Sequence, residues 1–353
     1  GGQKCSAASL AICIGDAYHS ARFRRQLSDA VRSIEVGPAD ALATTMGPLM
    51  GGPNQRLDRA LRRLDPGEDW LVEPRRQVAS NQWTPGVRLG VQAGGWFHTT
   101  ECFGPVLGLM PARDLDEAIA IQNSTGYGLT GGLHSLDPTE VERWMDRVEV
   151  GNAYVNRTIT GAIVGRQPFG GWKRSVVGPG AKAGGPNYVN QLGRWRPTDG
   201  DLDDAVWLTN AAVSDARWWA EEFAVEHDPI ALYCEANIFR YRPLPAIAVR
   251  FQPDALDREL QRVLAAADVC GVPTTVSTYD EETPEAFSAR LGELDVERVR
   301  VIGTVDPELR RAANEAGVHL ADDPVTTDGR LELPHYLREQ AVSRTLHRYG
   351  NLL

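Results

Sequence analysis

The sequence predicts an α/β fold with a mostly parallel sheet, and three observations carry that expectation. Strand-like and helix-like stretches alternate through the C-terminal third. Capped helix starts stand among apolar, alternating stretches in the N-terminal half. The chain of 353 residues, 42% hydrophobic and 24% charged, has the composition and length to bury a core and to form about two domains.

Taken in order, Gly1–Gly15 is rich in Gly, Ala and Ser before it turns apolar, which reads as a turn entering a buried element. Phe23, Leu27, Val31 and Ile34 repeat at helical spacing over Ala21–Ile34, with Gly37 placed to stop the chain. Gly51–Gly67 is loop-rich with a short basic helix, and Val87–Val91 alternates like a strand. Asp114 with Glu117 three residues on predicts a capped helix through Asn123. Asp137-Pro138 with Glu140 predicts a second one, carrying Val141, Trp144, Met145 and Val148 on one face.

Asn152–Asn156 reads as a strand, followed by a long loop rich in Gly, Thr, Pro and aromatics. Tyr188–Trp195 is expected to be a closing strand, and the polar stretch Arg196–Asp204 a domain boundary. Ala205–Glu226 is an expected amphipathic helix with Trp207, Trp218 and Trp219. Beyond it, strands at Ala246–Phe251, Thr274–Thr278, Arg298–Ile302 and Val318–Ala321 alternate with helices at Leu256–Cys270, Pro284–Leu291 and Asp306–Gly317. That rhythm is a doubly wound sheet, though no G-x-G-x-x-G turn follows its first strand.

Several functional classes are excluded or disfavoured at once. A net charge of −10 argues against a general nucleic-acid binder, which needs a basic face to release counterions. It leaves room for a small anionic ligand, because a few local donors outweigh a global field. No apolar run approaches the ~18 residues of a membrane span, so no integral membrane association is expected. The N-terminus lacks the layout of a signal peptide. The five cysteines, Cys5, Cys13, Cys102, Cys234 and Cys270, include no pair spaced as a zinc knuckle or redox dithiol, and the histidines form no H-E-x-x-H. No metal site and a reducing, cytoplasmic setting are therefore expected.

Three segments could carry chemistry. In Gln3-Lys4-Cys5-Ser6-Ala7, a cysteine beside a cation and small residues has the setting of a nucleophilic thiolate, although a cysteine alone is more often structural. In Glu101-Cys102-Phe103-Gly104-Pro105, a carboxylate before an aromatic and a tight turn is placed for sugar hydroxyls; the bland reading is a solvated turn glutamate. In Thr158–Phe169 with Gly170-Gly171, exposed backbone N–H groups suit a carboxylate, and an Ω-type surface loop is the equal alternative. Arg157, Arg166, Lys173 and Arg174 are either steering charges for an anion or ordinary solvated ones. The remaining cysteines read as structural.

The order of these motifs is more informative than any one of them. A Gly-Gln-Lys-Cys-Ser turn, then Glu-x-Phe-Gly-Pro-Val, Gly-Asn-x-Tyr-Val-Asn and Gln-Pro-Phe-Gly-Gly resembles the catalytic half of the aldehyde dehydrogenase superfamily over Gly1–Trp195. Asn156–Val164 with Gln167-Pro168-Phe169, and Gly178–Tyr188, are similar to the 1-pyrroline-5-carboxylate (L-glutamate γ-semialdehyde) dehydrogenase branch. The long C-terminal part, ending Arg338-Glu339-Gln340 to Leu346-His347-Arg348-Tyr349-Gly350-Asn351, resembles the tail of bifunctional proline-utilisation proteins.

The resemblance implies an aldehyde dehydrogenase catalytic domain over residues 1–195, with a closing oligomerisation strand. A linker and helix would follow over 196–230, then a smaller, non-catalytic Rossmann-like α/β domain over 231–353. It implies Cys5 as the nucleophile that carries a thiohemiacetal and then a thioester, with its backbone N–H as half of an oxyanion hole. Glu101 and Phe103 would bind NAD. Ser6, Gly161 and Ala162 would anchor the substrate's α-carboxylate, through backbone alone at Ala162, where relatives often have serine. Phe169 would pack on the substrate's methylene chain. The implied reaction is NAD-dependent oxidation of L-glutamate γ-semialdehyde to L-glutamate in proline catabolism, by a homo-oligomer when intact, with FAD only if a proline dehydrogenase domain precedes it. The superfamily's NAD domain, general-base glutamate and oxyanion-hole asparagine lie before the cysteine, where this chain has four residues. A fragment inactive on its own is therefore expected. The competing readings are a dehydrogenase for another short semialdehyde and a non-catalytic, dehydrogenase-like assembly module.

Overall fold

The computed structural model describes residues 1–77 and 81–347. The segment Arg348-Tyr349-Gly350-Asn351 of the C-terminal resemblance lies outside the described residues. The chain divides into two compact units, Gly1–Glu149 with Asn156–Gly161, and Val150–Val155 with Ala162–Leu353.

The first unit runs through β1 (Leu10–Ile14), α1 (Ala21–Arg32), α2 (Gln55–Arg62), β2 (Asp69–Val72), β3 (Gly86–Leu89) and the short α3 (Trp96–Thr99). It continues through β4 (Val106–Ala112), α4 (Leu115–Asn123), β5 (Tyr127–Gly128), β6 (Thr130–Leu133) and α5 (Pro138–Arg147). Its sheet has the order β1-β4-β3-β2. β4 pairs in parallel with β1 (Leu10 opposite Gly108) and with β3 (Gly86 opposite Val106), and β2 closes the edge antiparallel to β3.

Alternation along β4 sorts its side chains to the two faces of this sheet. Val106, Met110 and Ala112 join Leu57, Leu61, Phe97 and Ile121, so α2, α3 and α4 cover one face. Leu109 points to the other with Cys13, Val72 and Val87, where α1 lays down Phe23, Leu27 and Val31. The caps form as the sequence predicts: Asp114 accepts from the Glu117 N–H at 2.9 Å and Asp137 from the Thr139 N–H at 2.8 Å.

The second unit runs through β7 (Asn152–Val155), β8 (Trp172–Lys173), α6 (Asp204–Trp218), β9 (Glu235–Pro243), β10 (Ile247–Phe251), α7 (Asp257–Val269) and β11 (Thr274–Thr278). It ends with α8 (Pro284–Arg290), β12 (Arg298–Ile302), α9 (Pro307–Ala316), β13 (His319–Ala321), α10 (Gly329–Glu332) and β14 (Leu337–Thr345). The parallel sheet has the order β11-β10-β12-β13. On one face Ile247, Val249 and Phe251 pack on Val263, Ala267 and Trp207 from α7 and α6. On the other, Ala248, Val299 and Val301 pack on Phe287, Leu309 and Ala313 from α8 and α9. A separate set of strands places β14 between β7, in parallel, and β9, antiparallel over nine residue pairs.

One sequence expectation is corrected here. Tyr188–Trp195 is no strand: Val189–Leu192 is a 3₁₀ turn, held by local bonds such as Asn190 N–H to the Asn187 carbonyl at 3.2 Å. The Tyr188 and Asn190 N–H groups are spent on these local turns, to the Gly185 and Asn187 carbonyls, and so are not offered to a ladder. Helix α6 stops at Trp218 and passes into a single wide turn over Trp219–Phe223. Cys234 is exposed, unlike the buried Cys13, Cys102 and Cys270.

Candidate active site

In the first unit the candidate residues gather where the chain enters two neighbouring strands. Cys5 lies in the tight turn Lys4–Ala7, closed by Ala7 N–H to the Lys4 carbonyl at 2.9 Å, shortly before β1. Glu101–Pro105 leads directly into β4, the parallel neighbour of β1. Because parallel strands start at the same end, their two entry loops are brought side by side. The Gly108 N–H donates to the Ser9 carbonyl at 2.9 Å and continues this ladder back toward the turn.

Glycines let the two loops touch. Gly2 has φ +71°, and a Cβ there would overlap the Gly104 carbonyl oxygen. A Cβ on Gly104 would in turn overlap the Leu57 side chain of α2. Gln3 reaches across the turn, its Oε1 accepting from the Met50 N–H at 2.8 Å. The result presents the Cys5 thiol and the Glu101 carboxylate to solvent and tucks Ser6 inside at 3% exposed.

Phe103 is half-buried at φ +55°, a conformation a bulky residue adopts only when its surroundings hold it there. Cys102 points the other way: it is buried, and burial pushes its thiol up to about 11. Of the two cysteines in these motifs, only Cys5 is therefore accessible as a nucleophile.

The loop expected to meet a carboxylate is exposed at Gly161 and Ala162. Gly161 has φ +82° and nothing near its Cβ position. Gly161 belongs to the first unit and Ala162 to the second, as do Arg166, Phe169, Lys173 and Arg174; Arg157 belongs to the first. Within the second unit, Gln167 fixes the loop's far end. Its Oε1 accepts from the Ile163 N–H at 2.9 Å, and its buried Nε2 donates to Asn237, to Glu235 at 3.1 Å and to Ser343 at 3.2 Å.

Phe169 is held by a two-way bridge with Ala183, both bonds 3.0 Å long. The sequence motifs name Asn152, Gln167 and Lys182 but give no reason to single them out as supports. All three are buried polar side chains with partners well outside any local window: Gln167 bonds β9 and β14, Asn152 bonds the Pro168–Gly170 backbone, and Lys182 bonds Gly170 and Asn152.

The profile of the aldehyde dehydrogenase family matches residues 1–196, and the chain belongs to this family. Among curated proteins it is similar to 1-pyrroline-5-carboxylate dehydrogenase of Bacillus mycoides, 37% identical over 192 residues, covering 53% of this chain and 36% of that protein. The enzyme of the same name from Geobacillus thermodenitrificans is 38% identical over 192 residues with the same coverage. Among solved structures, Proline Utilization A (PutA) from Corynebacterium freiburgense is 48% identical with a TM-score of 0.89, covering 99% of this chain and 36% of that one. That likeness takes in nearly the whole chain. The chain thus spans about a third of the length of these relatives, 36% in each case.

Proposed function

We propose that this chain supplies the thiol-bearing part of an NAD-dependent L-glutamate γ-semialdehyde dehydrogenase acting in proline catabolism, within a longer protein. The observation that carries the reading is the contact of the Cys5 turn with the Glu101–Gly104 segment through two glycines, in a chain of the aldehyde dehydrogenase family. The names of the relatives support the substrate.

In this reading the Cys5 thiolate adds to the aldehyde carbon, giving a thiohemiacetal whose oxyanion the Cys5 backbone N–H helps to hold. Loss of hydride from that carbon leaves a thioester on Cys5, which water hydrolyses to the carboxylic acid and the free thiol. The residues present fit one end of a nicotinamide dinucleotide: Glu101 is an exposed acceptor for ribose hydroxyls, and Phe103, two residues on, is half-buried. NAD, when bound, supplies the hydride acceptor.

The resemblance assigns the α-carboxylate to Ser6, Gly161 and Ala162 and the methylene chain to Phe169; of these, the backbone of Gly161 and of Ala162 is exposed for such a contact, whereas Ser6 is buried and would have to be uncovered to take part. Residues 1–195 carry the catalytic role, 196–230 link it to the rest, and 231–353 are non-catalytic. The last assignment is supported by the β10–α7 connection, Gln252–Leu256, which contains no glycine for a phosphate-binding turn. A cytoplasmic homo-oligomer completes the proposal. No helix among the described residues is long and apolar enough to cross a membrane.

The test compares aldehydes in the intact protein. An aldehyde of equal chain length without the α-carboxylate should lose about 10²-fold or more in kcat/KM, from two charge-assisted hydrogen bonds of ~1.5–3 kcal/mol each. Equal efficiency for both would overturn the substrate assignment while leaving the thiol chemistry standing.

A further inference from the structure

We infer that Lys182, seated with Asn152 against the Pro168–Gly170 backbone, is a positioning residue that fixes where Phe169 stands and so sets how closely the site grips its substrate's aliphatic chain. This rests on the reading above that Phe169 meets the substrate.

Buried backbone N–H and C=O groups need partners, and those around Phe169 all have one. The Pro168 carbonyl accepts from Asn152 Nδ2 at 3.0 Å. The Phe169 N–H and carbonyl are both taken by Ala183. The Gly170 N–H donates to Asn152 Oδ1 at 3.1 Å, and the Gly170 carbonyl accepts from Lys182 Nζ. Every main-chain donor and acceptor of the three residues around Phe169 is thus satisfied by Asn152, Lys182 or Ala183. Lys182 Nζ also donates to Asn152 Oδ1 at 3.1 Å, which ties the two clamping side chains to each other.

The corner is built tightly. A Cβ on Gly151 would overlap the Gly170 carbonyl and stand 2.8 Å from Lys182 Nζ. Asn152 and Lys182 are both fully buried. Burying an ammonium group is costly unless its hydrogen bonds are made, and two of those bonds end on the Phe169 loop and its partner Asn152. Behind the clamp, the Lys182 backbone N–H donates to Glu339 Oε2 at 2.6 Å. Asn187 Nδ2 donates to Glu339 Oε1 at 2.7 Å and to the Tyr241 hydroxyl at 3.0 Å, and that hydroxyl donates to Glu222 at 2.8 Å. The loop is therefore anchored through Lys182 to β14 and β9. Burial pulls the Lys182 ammonium down, and Glu339 works against that shift.

Two readouts test the role. In the 353-residue chain, Lys182→Met should raise amide exchange at Phe169 and Ala183 by about tenfold or more, leaving Ile247–Phe251 in β10 unchanged. Lys182→Gln, which keeps an N–H donor, should recover part of that protection. In the intact protein the same Met variant should raise KM for the semialdehyde about tenfold, with kcat held within about threefold.

Unchanged exchange at Phe169 overturns the inference, as does a fall in kcat at unchanged KM. If Lys182→Met does not fold, Asn152→Ser is read in the same way. The exchange measurement decides the clamp whether or not the wild type prefers carboxylated aldehydes, a preference that tests the substrate reading alone.

Discussion

The sheet of the first unit and the parallel sheet of the second are built alike and spend their polar groups differently. Both are helix-covered on two faces and sort their side chains by strand alternation. In the first, short glycine-bearing loops enter β1 and β4 and leave a thiol and a carboxylate in solvent. The first also buries a pair, Arg88 against Glu68, but in the second such pairs carry the interior: Arg300 with Glu332 at 2.9 Å and Arg262 with Asp215 at 2.6 Å, all nearly or fully buried. Its loops also close on themselves, with the Asp254 carboxylate accepting from the Thr304 N–H at 3.1 Å and the Thr304 hydroxyl at 2.6 Å. The contrast teaches that one architecture serves either an open reactive edge or a sealed scaffold, depending on where its polar atoms end. It predicts that damage to the first region is chemical and damage to the second is structural.

The largest effect should come from the exposed thiol. Cys5→Ala removes the proposed nucleophile and almost no buried surface, so aldehyde oxidation by the intact protein should fall by about 10³-fold or more, with the unfolding midpoint unchanged. Parallel assays of activity and of denaturant unfolding check this. A variant that keeps its activity would remove Cys5 from the mechanism.

The opposite signature is expected for Arg300→Met. Glu332 would be left buried and unpaired, with Tyr336 as its remaining hydrogen-bond partner at 3.0 Å. Breaking a buried pair on one side costs about 3–5 kcal/mol, and urea unfolding of the chain should show it. Replacing both partners, Arg300→Met with Glu332→Leu, should recover much of that loss. If the single variant were as stable as the wild type, the sealed-scaffold view of the second unit's parallel sheet would fail.

How much of this was legible in the sequence follows from the range of each interaction. Local signals worked. The Asp114 and Asp137 caps, Gly317 ending α9 at φ +70°, and the strands at Thr274–Thr278 and Arg298–Ile302 are set by neighbours a few residues away. β9 and β14 escaped, because Arg240, Arg242, Arg338 and Gln340 interrupt their apolar pattern. Some of those side chains find partners only across the chain, as when Arg240 Nε donates to Gln340 at 2.8 Å. The expected strand at Tyr188–Trp195 failed for the converse reason, since its apolar residues Val189 and Leu192 stay exposed on a turn. Of the candidate site, the ordered motifs pointed to Cys5, Glu101 and Phe103. The Gly2–Gly104 contact and the supports Asn152, Gln167 and Lys182 depend on strand pairing that no local window contains.

A smaller effect sharpens the account of the open edge. Gly2→Ala places a methyl group against the Gly104 carbonyl at a positive φ, costing ~1–3 kcal/mol of local strain or a separation of the two loops. Because the loop tip is exposed, the chain should absorb this by separating them. Activity of the intact protein should drop more than its unfolding midpoint does. Loss of stability with full activity would mean that the contact supports the fold and not the site.

The smallest effect near neutral pH separates the sealed region by its titration. Burial, aided by Arg298, pulls His319 down to about 4, and burial, aided by Arg300, pulls His335 down to about 3. Each is neutral in the folded chain below the ordinary histidine value of ~6.5, where the unfolded chain takes up a proton. The unfolded state then binds more protons, so stability falls as pH drops from about 6.5 through the folded values, and is constant above that window. Glu332 has the depressed pattern of a paired carboxylate. Burial alone would raise it, but the neighbouring positive groups, Arg300 foremost among them, together outweigh burial and hold it at about 2, so its contribution is lost only between about 4.5 and 2. Unfolding midpoints at about pH 7, 6 and 5 should therefore decline on the histidine limb first, and His319→Asn should flatten the slope between about 6 and 5 without touching the lower limb. An unaltered slope in that variant would show that His319 is as free to protonate in the folded chain as in the unfolded one, and the second region would then be less sealed than its ion pairs indicate.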